Sequence, residues 1–152
     1  MKLLISYFYQ IRFFTSDLIP LSTAVWDPKW FMAADKVKIG NNSVLYGLKY
    51  TPFVPGDGCN NLCHGSEGCP YNPSDCAFLK AYRAQLDRLD FNKVYNHLQL
   101  LSDAFKRDLS MVEEPTLVFI VYEPPYKKCS EREVLKAWFQ DHGVELKEYE
   151  RK

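Results

Sequence analysis

Residues 116–122 read Thr-Leu-Val-Phe-Ile-Val-Tyr, an apolar run in which polar residues do not alternate with apolar ones. Such a run is typical of a β-strand buried on both faces, as in a parallel sheet. Residues 3–8, Leu-Leu-Ile-Ser-Tyr-Phe, form a second run of this kind. We interpret the start of the chain, residues 1–14, as a strand and not a secretory signal, because Gln10 and Arg12 interrupt its apolar residues and no small-residue cleavage site follows before Asp17. The two runs predict the middle of a parallel sheet.

Helical patterns separate and follow the strand runs. Apolar residues recur at helical spacing after Pro73, after Asp90 and after Ser130, and each of these residues suits a helix start. Ser130 and Glu133 have the spacing of a capping box. Further strands are expected at residues 43–51 and 144–149, and irregular chain at residues 15–43.

This alternation predicts one α/β domain over residues 1–152, a length that suits a single core. We expect a mostly parallel sheet flanked by helices in three layers, with a cysteine-rich loop at residues 51–76 inserted into it.

The charge balance disfavours nucleic acid as a partner. Lys and Arg number 19, as do Asp and Glu, so the formal net charge is zero. Residues 56–76 contain no Lys or Arg, so the cysteine-rich loop lacks the cations that contact phosphates. No stretch reaches the about 20 apolar residues that span a bilayer. We expect a cytoplasmic protein that does not enter the membrane.

Four of the five cysteines lie close together in the loop, in the pattern Cys59-x3-Cys63-x5-Cys69-x6-Cys76. Four thiolates are what a closed zinc site or an iron–sulfur cluster requires. The spacing matches neither the usual zinc knuckles nor a standard ferredoxin. We predict a structural zinc ion. The alternatives are an iron–sulfur cluster and four reduced cysteines that bind no metal.

The fifth cysteine, Cys129, directly precedes the predicted cap at Ser130, and Arg132 follows within one turn. A helix N-terminus and a guanidinium both lower the pKa of a thiol and attract anions. This pattern predicts an anion pocket or a reactive thiolate at the carboxyl end of a strand. The alternative is that Cys129 only packs beneath the helix.

Polar residues follow the two buried strands as well. If these strands are neighbours, Tyr9, Gln10 and Arg12 emerge at the same edge of the sheet as Glu123. Arg12 could then grip a phosphate or carboxylate, and Glu123 could act as a general base. An Arg12–Glu123 ion pair at the end of the sheet is the alternative.

The segment at residues 20–31 contains Trp26, Asp27 and Trp30. Aromatic rings in irregular chain can stack on a base or sugar, and a nearby carboxylate can accept its hydrogen bonds. The same residues could equally form a hydrophobic lid over the sheet.

Several motifs occur in an order that is similar to a known family. They are Ile5-Ser6-Tyr7-Phe8, Arg12, residues 20–30, the cysteine-rich loop, Val121-Tyr122-Glu123-Pro124-Pro125, Cys129-Ser130-Glu131-Arg132 and Trp138. Together they resemble the domain-of-unknown-function 488 family, especially its small variants in phages and bacteria.

Members of that family end a strand in a glutamate and begin the next helix with Cys-His-Arg. The resemblance therefore implies functional roles for Glu123, Cys129 and Arg132. Here Ser130 and Glu131 stand where the histidine is expected, and Arg132 is displaced by one position. Anion binding is compatible with this change, whereas a role that needs an imidazole is not. The resemblance implies no substrate.

These patterns predict a site for a small anionic ligand, phosphate-bearing or nucleotide-like, at the carboxyl edge of the sheet. If the protein is an enzyme, a hydrolase or transferase fits best, with Glu123 as base and Cys129 as nucleophile or orienting group. The alternative function is a non-catalytic regulator of phage type, which would sequester a ligand or block a partner protein.

Overall fold

The structure is a computed structural model that describes residues 1–31, 36–39, 43–46, 48–60, 72–126 and 129–152. Two sheets lie within these ranges, one with five parallel strands and one with two antiparallel strands. The strands are β1 (Lys2–Tyr7), β2 (Leu18–Ser22), β3 (Lys36–Ile39), β4 (Ser43–Tyr46), β5 (Leu48–Lys49), β6 (Thr116–Val121) and β7 (Lys147–Glu148). The helices are α1 (Asp57–Asn60), α2 (Ala77–Asp87), α3 (Phe91–Asp108) and α4 (Glu131–Asp141), with 3-10 turns at Phe8–Phe13, Thr51–Phe53 and Pro73–Asp75.

The five-stranded sheet has the order β5-β2-β6-β1-β7, with β6 at its centre. Tyr7 pairs with Val121 and Ser22 pairs with Ile120, so the carboxyl ends of β1, β2 and β6 lie level with one another. The predicted parallel α/β sheet is confirmed, and the chain that follows these three strands emerges at one edge.

The two faces of this sheet are covered in different ways. Helices α2, α3 and α4 pack on one face, where Leu79, Leu98 and Phe139 join the strand residues of the main core. On the opposite face, the described residues that cover the sheet come from the 3-10 turn Phe8–Phe13 and from chain near Phe31. The expected second layer of helices is therefore replaced, within these residues, by aromatic irregular chain.

Strand β2 is a correction to the sequence analysis, which expected irregular chain at Pro20. Proline removes a ladder hydrogen bond and is normally confined to edges. Here Thr23 N donates to Ile120 O of β6, whereas Ser22 O accepts a hydrogen bond from Tyr50 N on the opposite side. The backbone N–H and C=O groups of even-numbered residues in β2 therefore point towards β5. Pairing with β5 starts only at Leu21, so the missing N–H of Pro20 costs no hydrogen bond in the ladder.

The predicted helix ends agree with the structure in most details. Asp90 caps α3 by accepting a hydrogen bond from Lys93 N at 3.2 Å. Gly143, with φ +80°, follows the end of α4 in the left-handed conformation that stops helices. The helix expected to start at Pro73 starts later, because residues 73–75 form a separate 3-10 turn and Cys76 is the N-cap of α2. The predicted strand at residues 43–51 is divided into β4, β5 and a 3-10 turn.

Replacing Asp90 with alanine is expected to lower the free energy of unfolding by about 1 kcal/mol, because the first turn of α3 loses its cap. Denaturant unfolding of Asp90→Ala measures this effect. Asn92→Ala is the matched control, since Asn92 is exposed on the same helix. Equal midpoints for the two variants would contradict the capping role.

No helix in the described part of the chain has both the length and the apolar character needed to cross a membrane.

Candidate functional site

A cleft of about 440 Å³ opens between the chain that leaves β2 and the chain that leaves β6. The connection after β2 leads towards β5, and the connection after β6 leads towards β7 at the other edge of the sheet. Neighbouring parallel strands whose connections diverge leave a crevice at their carboxyl ends, which is where α/β sheets bind ligands. Glu123 and Glu131 contribute the acidic groups of the cleft, and its other lining residues are Ala24, Val25, Trp26, Pro55, Phe78 and Tyr122.

Glu131 is the most unusual side chain in this cleft, since only 4% of it is exposed. The pKa of Glu131 is raised from 4.5 to about 8, chiefly by burial and then by the charge of the neighbouring Glu123. The backbone amide of Glu131 and the Arg132 guanidinium act in the opposite direction. At neutral pH the Glu131 carboxyl group therefore keeps its proton and can act as a proton donor in the cleft.

The start of α4 holds this pair in place. Ser130 Oγ accepts a hydrogen bond from Arg132 N at 3.2 Å and lies 3.3 Å from Glu123 Oε2, to which it donates. The prediction that Ser130 caps α4 is thus confirmed. The carboxylate that Ser130 contacts belongs to Glu123 in the preceding loop and not to Glu133, which the capping box predicted. Consequently, Ser130 links the helix to the chain that leaves β6.

Arg132 is buried and makes a second connection between α4 and the loop after β6. Its Nη1 donates to Glu123 O at 2.8 Å, and its Nε lies 2.5 Å from Glu148 Oε1 of β7. Only 1% of the side chain is exposed, and it does not line the cleft. The structure therefore brings Glu123 and Arg132 together, with Arg132 holding the backbone of the loop.

Cys129 lies directly before this helix and is buried in the main core. Its φ of +60° is rare for a residue with a side chain. The cysteine is not among the residues that line the cleft.

The residues predicted after β1 lie elsewhere. The guanidinium of Arg12 stacks on the Tyr9 ring at 4.0 Å, and Arg12 Nε donates to Tyr9 O. Gln10 Nε2 donates to the Tyr7 hydroxyl at 3.2 Å. These residues occupy the 3-10 turn after β1, outside the lining of the cleft.

The two tryptophans that follow β2 have different surroundings. Trp26 is 81% exposed and lies at the mouth of the cleft. Trp30 packs edge-on against Phe8 and Phe31, as a hydrophobic lid over the sheet would. The structure therefore brings only Trp26 to the cleft.

Asp27 is engaged in fixing the loop beside the cleft. It accepts a hydrogen bond of 2.5 Å from Ser22 Oγ and lies 3.5 Å from Lys49 Nζ. Lys49 also donates to Val25 O at 3.1 Å. The pair of Asp27 and Lys49 thus positions one wall of the cleft.

Two of the four predicted metal ligands can be placed. Cys59 and Cys76 are both buried in the main core, whereas Cys63 and Cys69 lie outside the described residues. Burial raises the pKa of the Cys59 thiol, which lies 3.6 Å from Gln85 Oε1. Among the residues that the structure covers, no group of three or more His, Cys, Asp or Glu is arranged to hold a metal ion.

The sequence analysis named Glu131 only as one of two residues that stand where a histidine is expected, and missed it as a site residue. A signal was nevertheless present, because Glu131 lies one turn before Leu135 and two turns before Trp138, on the buried stripe of α4. An acidic residue at a core position of a helix at the carboxyl edge of a sheet is a candidate for function.

Comparison with models of protein families, with curated proteins and with solved structures finds no match to this chain. The resemblance to the domain-of-unknown-function 488 family therefore stays a prediction.

Proposed function

We propose that this protein binds a small, flat, nucleotide-like molecule in the cleft and acts on it as a hydrolase or transferase through acid–base catalysis by Glu123 and Glu131. The observation that carries the proposal is the carboxyl group of Glu131, which is only 4% exposed and lines an open cleft together with Glu123. Burying an acid costs free energy, and such groups concentrate at sites of function.

The pair suits proton transfer near neutral pH. A general acid is most effective when its pKa lies close to the working pH, and the Glu131 carboxyl meets this condition. Protonated Glu131 can donate its proton to a leaving group, while the carboxyl group of Glu123 is placed to accept a proton from water or from an attacking hydroxyl. This assignment keeps Glu123 as the base and gives the acid role to Glu131.

The walls of the cleft support a flat ligand. Trp26 and Tyr122, which are both largely exposed, line the cleft together with Phe78. Aromatic faces bind nucleobases by stacking, at about 1–3 kcal/mol per base. The described lining residues include no Lys or Arg, so a phosphate carried by the ligand would lie outside the cleft.

We also propose that the cysteine-rich loop binds a structural zinc ion in the cytoplasm, where thiols stay reduced. The number and spacing of the cysteines support this, as does the burial of Cys59 and Cys76 at the two ends of the four-cysteine segment. The ion would hold the loop and take no part in the reaction at the cleft.

A panel of nucleobases, nucleosides and nucleotides tests the proposed function. We expect one member to quench tryptophan fluorescence on binding, and Trp26→Ala to weaken its binding about tenfold. We expect Glu131→Gln to slow turnover of the same compound about a hundredfold while its affinity changes little, because a proton donor is lost and the shape of the site is kept.

Trp30→Phe is the matched control for the binding measurement, since Trp30 covers the sheet and does not line the cleft. The catalytic proposal is wrong if Glu131→Gln turns over the ligand as fast as the unmodified protein does. It is also wrong if no member of the panel is bound or converted.

The aromatic surface around the cleft favours one alternative, a non-catalytic regulator that sequesters a ligand or blocks a partner protein. Trp26 and Tyr122 line the cleft and are 81% and 63% exposed, and large exposed aromatic side chains are typical of binding surfaces. Tight binding of a panel member without any turnover would favour this alternative.

A further inference from the structure

We infer that two copies of this protein associate through β7, with the β7 strands of the two copies paired in antiparallel fashion across a two-fold axis at Glu148. The inference goes beyond the proposed function and does not depend on it. It stands on the position of β7 at the edge of the sheet, on a groove beside this strand and on the order of charges along it.

Strand β7 lies at the edge of the five-stranded sheet and, among the described strands, pairs with β1 alone. Tyr149 N donates to Ile5 O at 2.8 Å, so the backbone groups of Lys147 and Tyr149 point towards β1. Because these groups alternate in direction along a strand, those of Glu148 and Glu150 point away from the sheet. Such an edge can pair with one more strand.

A groove of about 1220 Å³ runs along this edge and leaves room for that strand. It is lined by β7 with the chain on either side of it, by α4 and by the chain that leads into β2. Glu133, Lys136 and Gln140 form its α4 side, whereas Leu4 and Leu18 belong to the core on the other face of the sheet. Since residues from both faces line the groove, it lies beside the edge and not on one face.

The order of charges along β7 favours a second copy of the chain as the occupant. Charged side chains on an edge strand oppose pairing unless the partner carries opposite charges at the facing positions. With the axis at Glu148, Glu145 of each copy lies opposite Arg151 of the other. Lys147 lies opposite Tyr149, so no like charges face each other at these positions.

The two Glu148 side chains lie opposite each other at the axis, and each is compensated by cations of its own copy. Glu148 Oε1 lies 2.5 Å from Arg132 Nε and 3.8 Å from Lys136 Nζ. Arg151 is also held at the groove, since its guanidinium lies 3.8 Å from the centroid of the Phe13 ring. The charges that pair across the axis are therefore in place in the single copy.

Neighbouring registers are less favourable. Moving the axis by one residue towards the amino end places the two Lys147 side chains opposite each other, and moving it by one towards the carboxyl end places Lys147 opposite Arg151. An axis at Leu146 requires the N–H of Val144, which already donates to Phe139 O at 3.0 Å. The proposed register avoids these conflicts.

Sedimentation equilibrium across the micromolar range tests the inference, and we expect the protein to be a dimer. Glu150→Pro removes an N–H that points to the second copy and leaves the pairing of β7 with β1 intact, so it should raise the dimer dissociation constant at least about tenfold. Arg151→Glu and Glu145→Arg should each raise it about tenfold. The two charge reversals combined should restore it to within about threefold, because the facing charges are then exchanged.

Glu113→Arg is the matched control for charge reversal, since Glu113 is exposed and does not line the groove. Thermal unfolding checks that each variant is folded, and the charge exchange decides the matter if Glu150→Pro does not fold. A monomer at every concentration would overturn the inference. So would a dimer that these changes leave intact, because another surface would then hold it, or a combined variant that does not regain the dimer.

Discussion

Replacing Glu131 with glutamine is expected to stabilise the fold at pH 8 by about 2–5 kcal/mol, even though it removes the proposed proton donor. The upper value corresponds to a rise in the pKa of Glu131 from 4.5 to about 8. Glutamine has nearly the same shape, remains neutral, and can still donate a hydrogen bond to Glu123. The substitution therefore removes the free-energy cost of ionising a buried acid and opens no cavity.

The effect depends on pH in a defined direction. Since the folded protein holds the Glu131 proton more tightly than the unfolded chain, this group favours folding fully below about pH 4.5. Its contribution declines as the pH rises and is lost by about pH 8. The difference in unfolding free energy between Glu131→Gln and the unmodified protein should therefore grow across this range.

Denaturant unfolding at several pH values measures that difference, and contributions from other titrating groups cancel in it. Glu133→Gln should lie within about 0.5 kcal/mol of the unmodified protein at every pH, because Glu133 is exposed. If Glu131→Gln is destabilising at pH 8, the buried carboxyl contributes to the fold and is not an acid kept for function at a cost in stability.

The strands at the centre of the sheet could be predicted because an unbroken apolar run such as that of β6 is typical of a strand buried on both faces. Strand β2 could not. A strand tolerates Pro20 if the proline nitrogen faces a neighbouring strand that does not pair at that position. Which strand is the neighbour, and where its pairing begins, depend on the tertiary structure. The same limit applies to the cover of the second sheet face, since aromatic residues do not reveal which surface they bury.

The sequence allowed only part of the site to be predicted, because the rest depends on the order of the strands in the sheet. Glu123 and Trp26 were expected near the carboxyl edge, and both line the cleft. The order of strands along the sheet is not written in the chain, and β6 lies between β1 and β2. The loop that faces Glu131 across the cleft is consequently the one after β2, and Gln10 and Arg12 emerge beyond β6.

The purified protein is expected to contain one equivalent of zinc and to lose several kcal/mol of stability when a chelator removes it. Binding to four thiolates is worth about 10–16 kcal/mol in zinc-finger peptides, so loss of the ion would be the largest single change in this fold. Elemental analysis gives the stoichiometry, and thermal unfolding with and without chelator gives the stabilisation. Brown protein with visible absorption after anaerobic purification would indicate the alternative iron–sulfur cluster.

Cysteine variants separate metal binding from simple packing. Cys59 and Cys76 are buried, so serine at either position lowers stability whether or not an ion is bound. Serine at Cys63 or Cys69 is the decisive change, because a shared ion requires each of the four to matter to metal content. Cys129→Ser is the matched control, since Cys129 is buried outside the loop and should leave metal content unchanged. A folded, ion-free protein whose melting temperature is insensitive to serine at Cys63 and Cys69 would show that no ion holds the loop.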